Sequence, residues 1–203
     1  ITPRQVAESI GPRLAKDALG ATIDGQLVDL TTPITKDAAV ALVTPKAEDA
    51  NALYLTRHSA AHIMAEAITR LFPQTKLAYG PPVENGFYYD MELDHKHTTD
   101  DFANIDEEMK KIIAEDRPVT ISMVSRAQAE AWLASGEMRK LPSREGELRI
   151  IEIAGEHADE IAAFDRNACG GTHVRSTGQI GGLHLRGMEK VRGGWRVEFV
   201  CGL

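Results

Sequence analysis

Two pairs of potential ligands, each pair spaced four positions apart, constrain this chain more than any other feature of it. The first lies in Arg57-His58-Ser59-Ala60-Ala61-His62 and the second in Ala168-Cys169-Gly170-Gly171-Thr172-His173. On a helix this spacing sets both side chains on one face, one turn apart. Behind His62, the residues Ile63, Met64, Ala67, Ile68 and Leu71 recur at helical spacing. At roughly 100° per residue their stripe centres nearly opposite the two histidines. The histidines share their own face with Ala61, Ala65 and Thr69, all small. The pair therefore looks away from the core and into a second space, where a cleft, a metal or a packed strand would sit.

Three imidazoles and a thiolate are the ligand set that Zn²⁺ prefers. They serve equally well as the general base and orienting groups of a small hydrolytic site. A histidine pair at this spacing arises readily by chance. The Cys-Gly-Gly-Thr-His segment, with its two ligands flanking a diglycine turn, is harder to explain by packing. Together they favour one joint site built from His58, His62, Cys169 and His173. A thermolysin-like protease is excluded, because His-Glu-x-x-His needs a glutamate as base and Ser59 stands there.

A length of 203 residues allows one large or two small domains. A hydrophobic content of 43% and a charged content of 26% are ordinary for a globular protein. No apolar run approaches the ~20 residues that a membrane span needs, and no signal peptide opens the chain. Two cysteines do not make a disulfide framework, and Cys169 in a ligand-like setting points to a reducing cytoplasm. Cys201 sits at a hydrophobic strand end and reads as core. A net charge of −7 argues against a general nucleic-acid binder. Residues 166–196 nevertheless carry Arg166, Arg175, Arg186, Lys190, Arg192 and Arg196 against Glu189 alone. Such a segment either holds a negatively charged substrate near the Cys-Gly-Gly-Thr-His turn or forms a solvated strand face.

Along the chain, Thr2-Pro3 opens a helix with Val6, Ile10 and Leu14 as its stripe. Ala21–Ile23 and Gln26–Leu30 form a tight hairpin across Asp24-Gly25, and Val40–Val43 adds a strand. This is most of a small β-grasp module without its first hairpin. The polar stretch 45–51 reads as a linker, so the expected domains are 1–46 and 51–203. A long helix from about Leu53 to Leu71 follows, then a strand–turn–strand over 77–90 with Asn85-Gly86 at the bend. In its second strand Phe87 and Tyr89 share one face. A helix capped by Thr98 or Thr99, a strand Val119–Val124 and a helix opened by a Ser125–Gln128 capping box and stopped at Gly136 come next. Strands are expected at Leu148–Ile153 and 161–164, the latter ended by Asp165. The carboxylate of Asp165 either orients the site or forms a turn. A hairpin of Ile180–Lys190 with Trp195–Cys201 closes the chain.

With these residues in view, the sequence resembles the N-terminal region of threonyl-tRNA synthetases. Residues 1–45 resemble most of the TGS domain, a ubiquitin-like β-grasp module. Residues 51–203 resemble the α+β editing domain shared with alanyl-tRNA synthetases and free-standing alanyl-tRNA editing proteins. His58-Ser-Ala-Ala-His62 and the run Tyr79–Asp90 follow the threonyl pattern, whereas Cys169-Gly-Gly-Thr-His173 is closer to the alanyl one. The resemblance implies an α+β fold and hydrolysis of serine from mischarged Ser-tRNA(Thr), with His58 positioning or activating the water. It implies tRNA as partner, bound by its aminoacylated 3′ end, together with the remaining synthetase domains, and zinc on His58, His62, Cys169 and His173 as in the alanyl-type relatives, whereas threonyl-type domains can work without metal. Tyr89 matches a tyrosine that lines the family pocket, and Lys140 falls where the family carries a functional lysine. The family's editing aspartate lies two residues before the cysteine; Asn167 stands there, with Asp165 as the candidate replacement. No synthetic core follows Leu203, so the chain is not expected to charge tRNA. The rival readings are a free-standing editor of Ser-tRNA(Ala) and a non-catalytic, zinc-stabilised binding module.

Overall fold

The computed structural model describes residues 1–46, 48–79, 82–83, 86–92, 98–138, 140–155, 165–192 and 194–202. Helix α1 (Pro3–Ile10) starts at a capping box in which Thr2 and Gln5 exchange side chain-to-backbone bonds. It does not run on through Leu14. The chain breaks at Gly11, and a second short helix, α2 (Pro12–Asp17), begins. Pro12 has no N–H to donate and disfavours helical geometry in the residue before it. Ile10, expected in the stripe, is accordingly exposed.

Strands β1 (Gly20–Ile23) and β2 (Gln26–Val28) form the expected hairpin. Asp24 at φ 50° and Gly25 at φ 82° supply the two left-handed residues that its tight turn requires. Strand β3 (Val40–Val43) pairs with β1, giving the order β2-β1-β3. The second strand stops two residues short of the expected Leu30, which is buried all the same.

The 22-residue helix α3 (Ala50–Leu71) is the spine of the rest. Its start falls inside the stretch expected as linker, because the Asp49 carboxylate accepts the N–H groups of Asn51 and Ala52. Its apolar face, with Leu55, Ile63, Met64, Ala67 and Ile68, is buried. That face packs on an antiparallel sheet of strands β4 (Lys76–Tyr79), β5 (Pro82–Val83), β6 (Gly86–Glu92), β10 (Gly182–Val191) and β11 (Gly194–Gly202). The order is β10-β11-β6-β4, with β5 also on β6. Phe87, Phe199 and Val197 meet α3 from this sheet, and Ile105, Met109 and Ile112 meet it from helix α4 (Thr99–Ala114). Cys201 is buried in the same core, as expected.

A third sheet, in the order β7-β8-β9, joins β7 (Val119–Val124), β8 (Leu148–Ile153) and β9 (Asp165–Ala168). Helix α5 (Arg126–Ser135) lies between its first two strands in sequence and ends at Gly136 in left-handed geometry. Of the capping box expected for α5, the half from the Gln128 N–H to the Ser125 hydroxyl is present. Asp165 opens a strand rather than ending one; the expected strand 161–164, Asn85 and Gly193 lie outside the described residues. Ile180 belongs to a 3₁₀ turn, Thr177–Ile180, and β10 begins after it. No described helix is long and apolar enough to cross a membrane.

Candidate functional site

The face of α3 left free by the core forms one wall of a cleft of about 1140 Å³. His58, Ala61, His62, Ala65 and Thr69 line it, the set that helical phase predicts to face away from the core. β9 delivers Cys169 to the same space, and His173 follows in the irregular turn after it. The four expected ligands converge: their ligand atoms all lie within 4.8 Å of one another. His58 Nε2 is 3.1 Å and His173 Nε2 3.3 Å from Cys169 Sγ.

Each side chain is held from behind. His62 Nδ1 meets Asp165 Oδ2 at 2.7 Å. Asp165 is itself only 1% exposed, so it does not face the cleft and orients His62 instead. Asn167, the departure from the family pattern, donates its side-chain N–H to the other oxygen of Asp165. Ser59, which excluded a zinc protease, has a positive role. Its hydroxyl accepts the N–H of Val174 at 3.1 Å and lies 3.3 Å from His173 Nδ1. Tyr54 stacks on His58, with ring centroids 5.6 Å apart and planes 7° from parallel. Nothing in the sequence marks Ser59, Asn167 or Tyr54 as a supporting group. Their proximity to the ligands was the available signal, but every such signal also fits an ordinary surface or capping residue.

The second glycine of the turn is dictated by His58. A Cβ on Gly171 would lie 2.3 Å from His58 Nε2, whereas one on Gly170 would meet nothing within 4 Å.

The electrostatics follow from these contacts. Burial pushes the Cys169 thiol up, but hydrogen bonds from His173, His58 and His62 and the charge on His62 together bring it down to about 3. Burial works against a charge on His62 as well. The hydrogen bond and charge of Asp165, then those of Cys169, carry it up to about 9. For His173, burial and the neighbouring imidazoles prevail over the sulfur and hold it down at about 4. The contacts thereby favour the thiolate at Cys169, the imidazolium at His62 and the neutral ring at His173.

This donor set suits zinc. A tetrahedron with Zn–N and Zn–S bonds of ~2.0–2.3 Å has edges of about 3.3–3.8 Å; the Sγ-to-nitrogen distances of 3.1 and 3.3 Å lie near it, and the separations of up to 4.8 Å within the cluster would contract on binding. The Asp165–His62 bond is the carboxylate–histidine support that metal-bound imidazoles use. A dication would take the place of the proton that His62 carries.

The two further sequence candidates also reach the cleft. Tyr89, half-buried on β6, and Lys140, exposed after α5, both line it. The basic segment 166–196 is in part a structural one. Arg166 stacks on Trp132 and pairs with Glu137 and Glu152; Arg196 pairs with Asp90 through two nitrogens at 2.7 and 2.8 Å.

Comparison with known proteins agrees with this architecture. Residues 1–44 match the TGS domain, and residues 148–198 match the threonyl and alanyl tRNA synthetase second additional domain. A threonine–tRNA ligase of Rhodospirillum rubrum is 43% identical over 187 residues, which are 89% of this chain and 27% of the ligase. One from Novosphingobium aromaticivorans is 43% identical over 187 residues, covering 88% of this chain and 27% of the ligase. One from Syntrophomonas wolfei is 37% identical over 198 residues, covering 92% and 30%. The chain thus spans less than a third of the length of these relatives. A TGS match on the first sheet and its helices, a second-additional-domain match on the strands that carry the ligand turn, and threonine–tRNA ligase relatives along most of the chain identify it as a TGS domain followed by an editing-type second additional domain, corresponding to an N-terminal region of threonyl-tRNA synthetase.

Proposed function

We propose that this chain is a proofreading hydrolase that removes serine from mischarged Ser-tRNA(Thr). The observation that carries the reading is the meeting of His58, His62, Cys169, Tyr89 and Lys140 on one cleft. At about 1140 Å³ the cleft slightly exceeds the roughly 300–1,000 Å³ of a small-molecule pocket, as suits a nucleotide end bearing an amino acid.

The need for such a site is physical. Serine keeps the hydroxyl that a threonine pocket binds and lacks one methyl, worth only about 1–3 kcal/mol of discrimination. A second site that admits serine and excludes the extra methyl supplies the rest. In the reaction, water adds to the ester carbonyl, the bond to the terminal ribose oxygen breaks, and that oxygen takes the proton. His58 orients the water, the Tyr89 hydroxyl fixes the seryl group, and the Lys140 ammonium faces the developing oxyanion or the terminal phosphate. Asp165 positions His62 and does not touch substrate. His58, His62, Cys169 and His173 would hold zinc; with all four ligating the tetrahedral shell is full, so zinc would supply charge to a water or the carbonyl only through a fifth position or with His58 released to the water. The boundaries 1–46 and 51–203, a cytoplasmic site of action and partnership with the remaining synthetase domains belong to the same proposal.

The test is deacylation of Ser-tRNA(Thr) by this chain, with Thr-tRNA(Thr) and Ser-tRNA(Ala) alongside. Rapid loss of serine from tRNA(Thr) alone is expected. Faster loss from Ser-tRNA(Ala) would reassign the substrate to the alanyl editors. No hydrolysis by a folded sample at high tRNA concentration would leave a binding module.

A further inference from the structure

The turn that carries Cys169 and His173 has no regular secondary structure, yet its backbone is pinned at four points. The Cys169 N–H donates to the Arg149 carbonyl at 3.2 Å. Arg149 Nη1 donates back to the carbonyls of Cys169 at 2.6 Å and Gly171 at 2.9 Å. The fourth point comes from the other module. Asp29, in the loop after β2, accepts the His173 N–H on Oδ1 at 3.1 Å, and its Oδ2 holds Arg149 Nη2. The Arg149 and Asp29 side chains are 22% and 14% exposed, so this ion pair is largely shielded. Charge-assisted bonds of this kind are short and directional. Removing one partner leaves the other charge uncompensated.

The two modules are also fastened away from the turn. Gln179 Nε2 donates to the carbonyls of Lys16 at 3.4 Å and Ala18 at 3.2 Å. The Gln179 bonds hold the modules together, whereas the Asp29 bonds run directly to the ligand-bearing backbone.

We propose that Asp29 is a positioning residue of the hydrolytic site: from the first module it fixes His173 directly and Cys169 through Arg149. The TGS module thereby contributes one carboxylate to the ordering of the ligand turn. The kinetic side of this inference rests on the hydrolase reading above; the structural side does not.

The experiment uses the whole chain and compares Asp29→Ala, Asp29→Asn and Gln179→Ala. For each, kcat and KM on Ser-tRNA(Thr), the exchange rate of the His173 amide hydrogen by NMR, and the melting temperature are measured. Asp29→Ala should lower kcat by roughly tenfold or more, with KM changed by less than about twofold, and should speed His173 exchange by a similar factor. Asp29→Asn, which keeps an acceptor for the His173 N–H, should recover most of the exchange protection; it also carries the test should the alanine variant not fold. Gln179→Ala should lower the melting temperature while leaving kcat and His173 exchange near wild type. Unchanged His173 exchange in Asp29→Ala, or equal losses of kcat in Gln179→Ala and Asp29→Ala, would overturn the proposal. Should the wild-type chain hydrolyse none of the three aminoacyl-tRNAs, the functional reading falls, and His173 exchange alone decides the role of Asp29.

Discussion

Gly170 and Gly171 are adjacent and chemically identical, yet the structure predicts opposite consequences for giving each a methyl group. A Cβ at Gly171 would stand 2.3 Å from His58 Nε2 and 2.8 Å from both neighbouring ring carbons. Non-bonded heavy atoms settle at about 3.5–4.0 Å, so the imidazole or the turn must retreat by about 1 Å. The ring has little room. Tyr54 stacks on one face, the His173 ring centroid is 4.6 Å away, and Cys169 Sγ is 3.1 Å from Nε2. A misplacement of about 1 Å costs on the order of 10²-fold in a positioned reaction. Gly171→Ala should therefore reduce kcat/KM for Ser-tRNA(Thr) by about 100-fold, and Gly170→Ala, which meets open space, by no more than about twofold. Deacylation kinetics on both variants, with melting curves to establish folding, make the comparison. Equal activity of the two variants, in either direction, would refute the placement of His58 against the turn.

Three more expectations follow from the same contacts. Zinc added to the metal-free protein at neutral pH should release more protons from the wild type than from Asp165→Asn, because the Asp165 carboxylate holds His62 in its protonated form. Calorimetry in buffers of different ionisation enthalpy makes the comparison, and equal proton release from the two would contradict the charge assignment. Burial raises the Cys201 thiol from 9.0 to about 12, so its neutral form adds stability below pH 9 that is lost as pH climbs toward 12. Cys201→Ala should flatten that alkaline decline in denaturant titrations, and an unaltered slope would place the cause elsewhere. Asn167→Asp would set a second carboxylate against buried Asp165, so that one of the two must hold a proton near neutrality. A carboxyl whose folded pKa is raised stabilises at low pH and loses that contribution as pH rises. The variant's melting deficit should therefore shrink from about pH 8 to about pH 5; a deficit independent of pH would argue against the contact.

What could be read without coordinates was what depends on local geometry. The face shared by His58, His62, Ala61, Ala65 and Thr69 follows from the 3.6-residue turn alone, and it is the face on the cleft. The same holds for the hairpin at Asp24-Gly25, where two adjacent residues must be left-handed. Pro12 carried an equally local message that the Val6–Ile10–Leu14 periodicity obscured. The support of the site was not legible. Asp29 and Arg149 are 120 residues apart, and Asp165 and His62 are 103 apart. Nothing in the identity of an aspartate in a loop tells which distant N–H it will accept. The two glycines of the turn stand out in the sequence, but only the position of the His58 ring says which one is required. Against the family pattern Asn167 is a lost carboxylate, and the fold makes it the partner of the carboxylate of Asp165.

The separation of the ligands along the chain also has a consequence for biosynthesis. His58 and His62 leave the ribosome 111 and 107 residues ahead of Cys169 and 115 and 111 ahead of His173. At about 5–20 residues per second, the helix therefore waits roughly 6 to 23 s with its imidazoles unmatched. A metal ion cannot template α3 during that interval, because two of its four ligands do not yet exist. Through that interval α3 has its own cap at Asp49 and only the part of its core that β6 and α4 supply, because β10 and β11 emerge after His173. A metal that filled the site would therefore enter late in folding, with the last strands of the core, and would not be its nucleus.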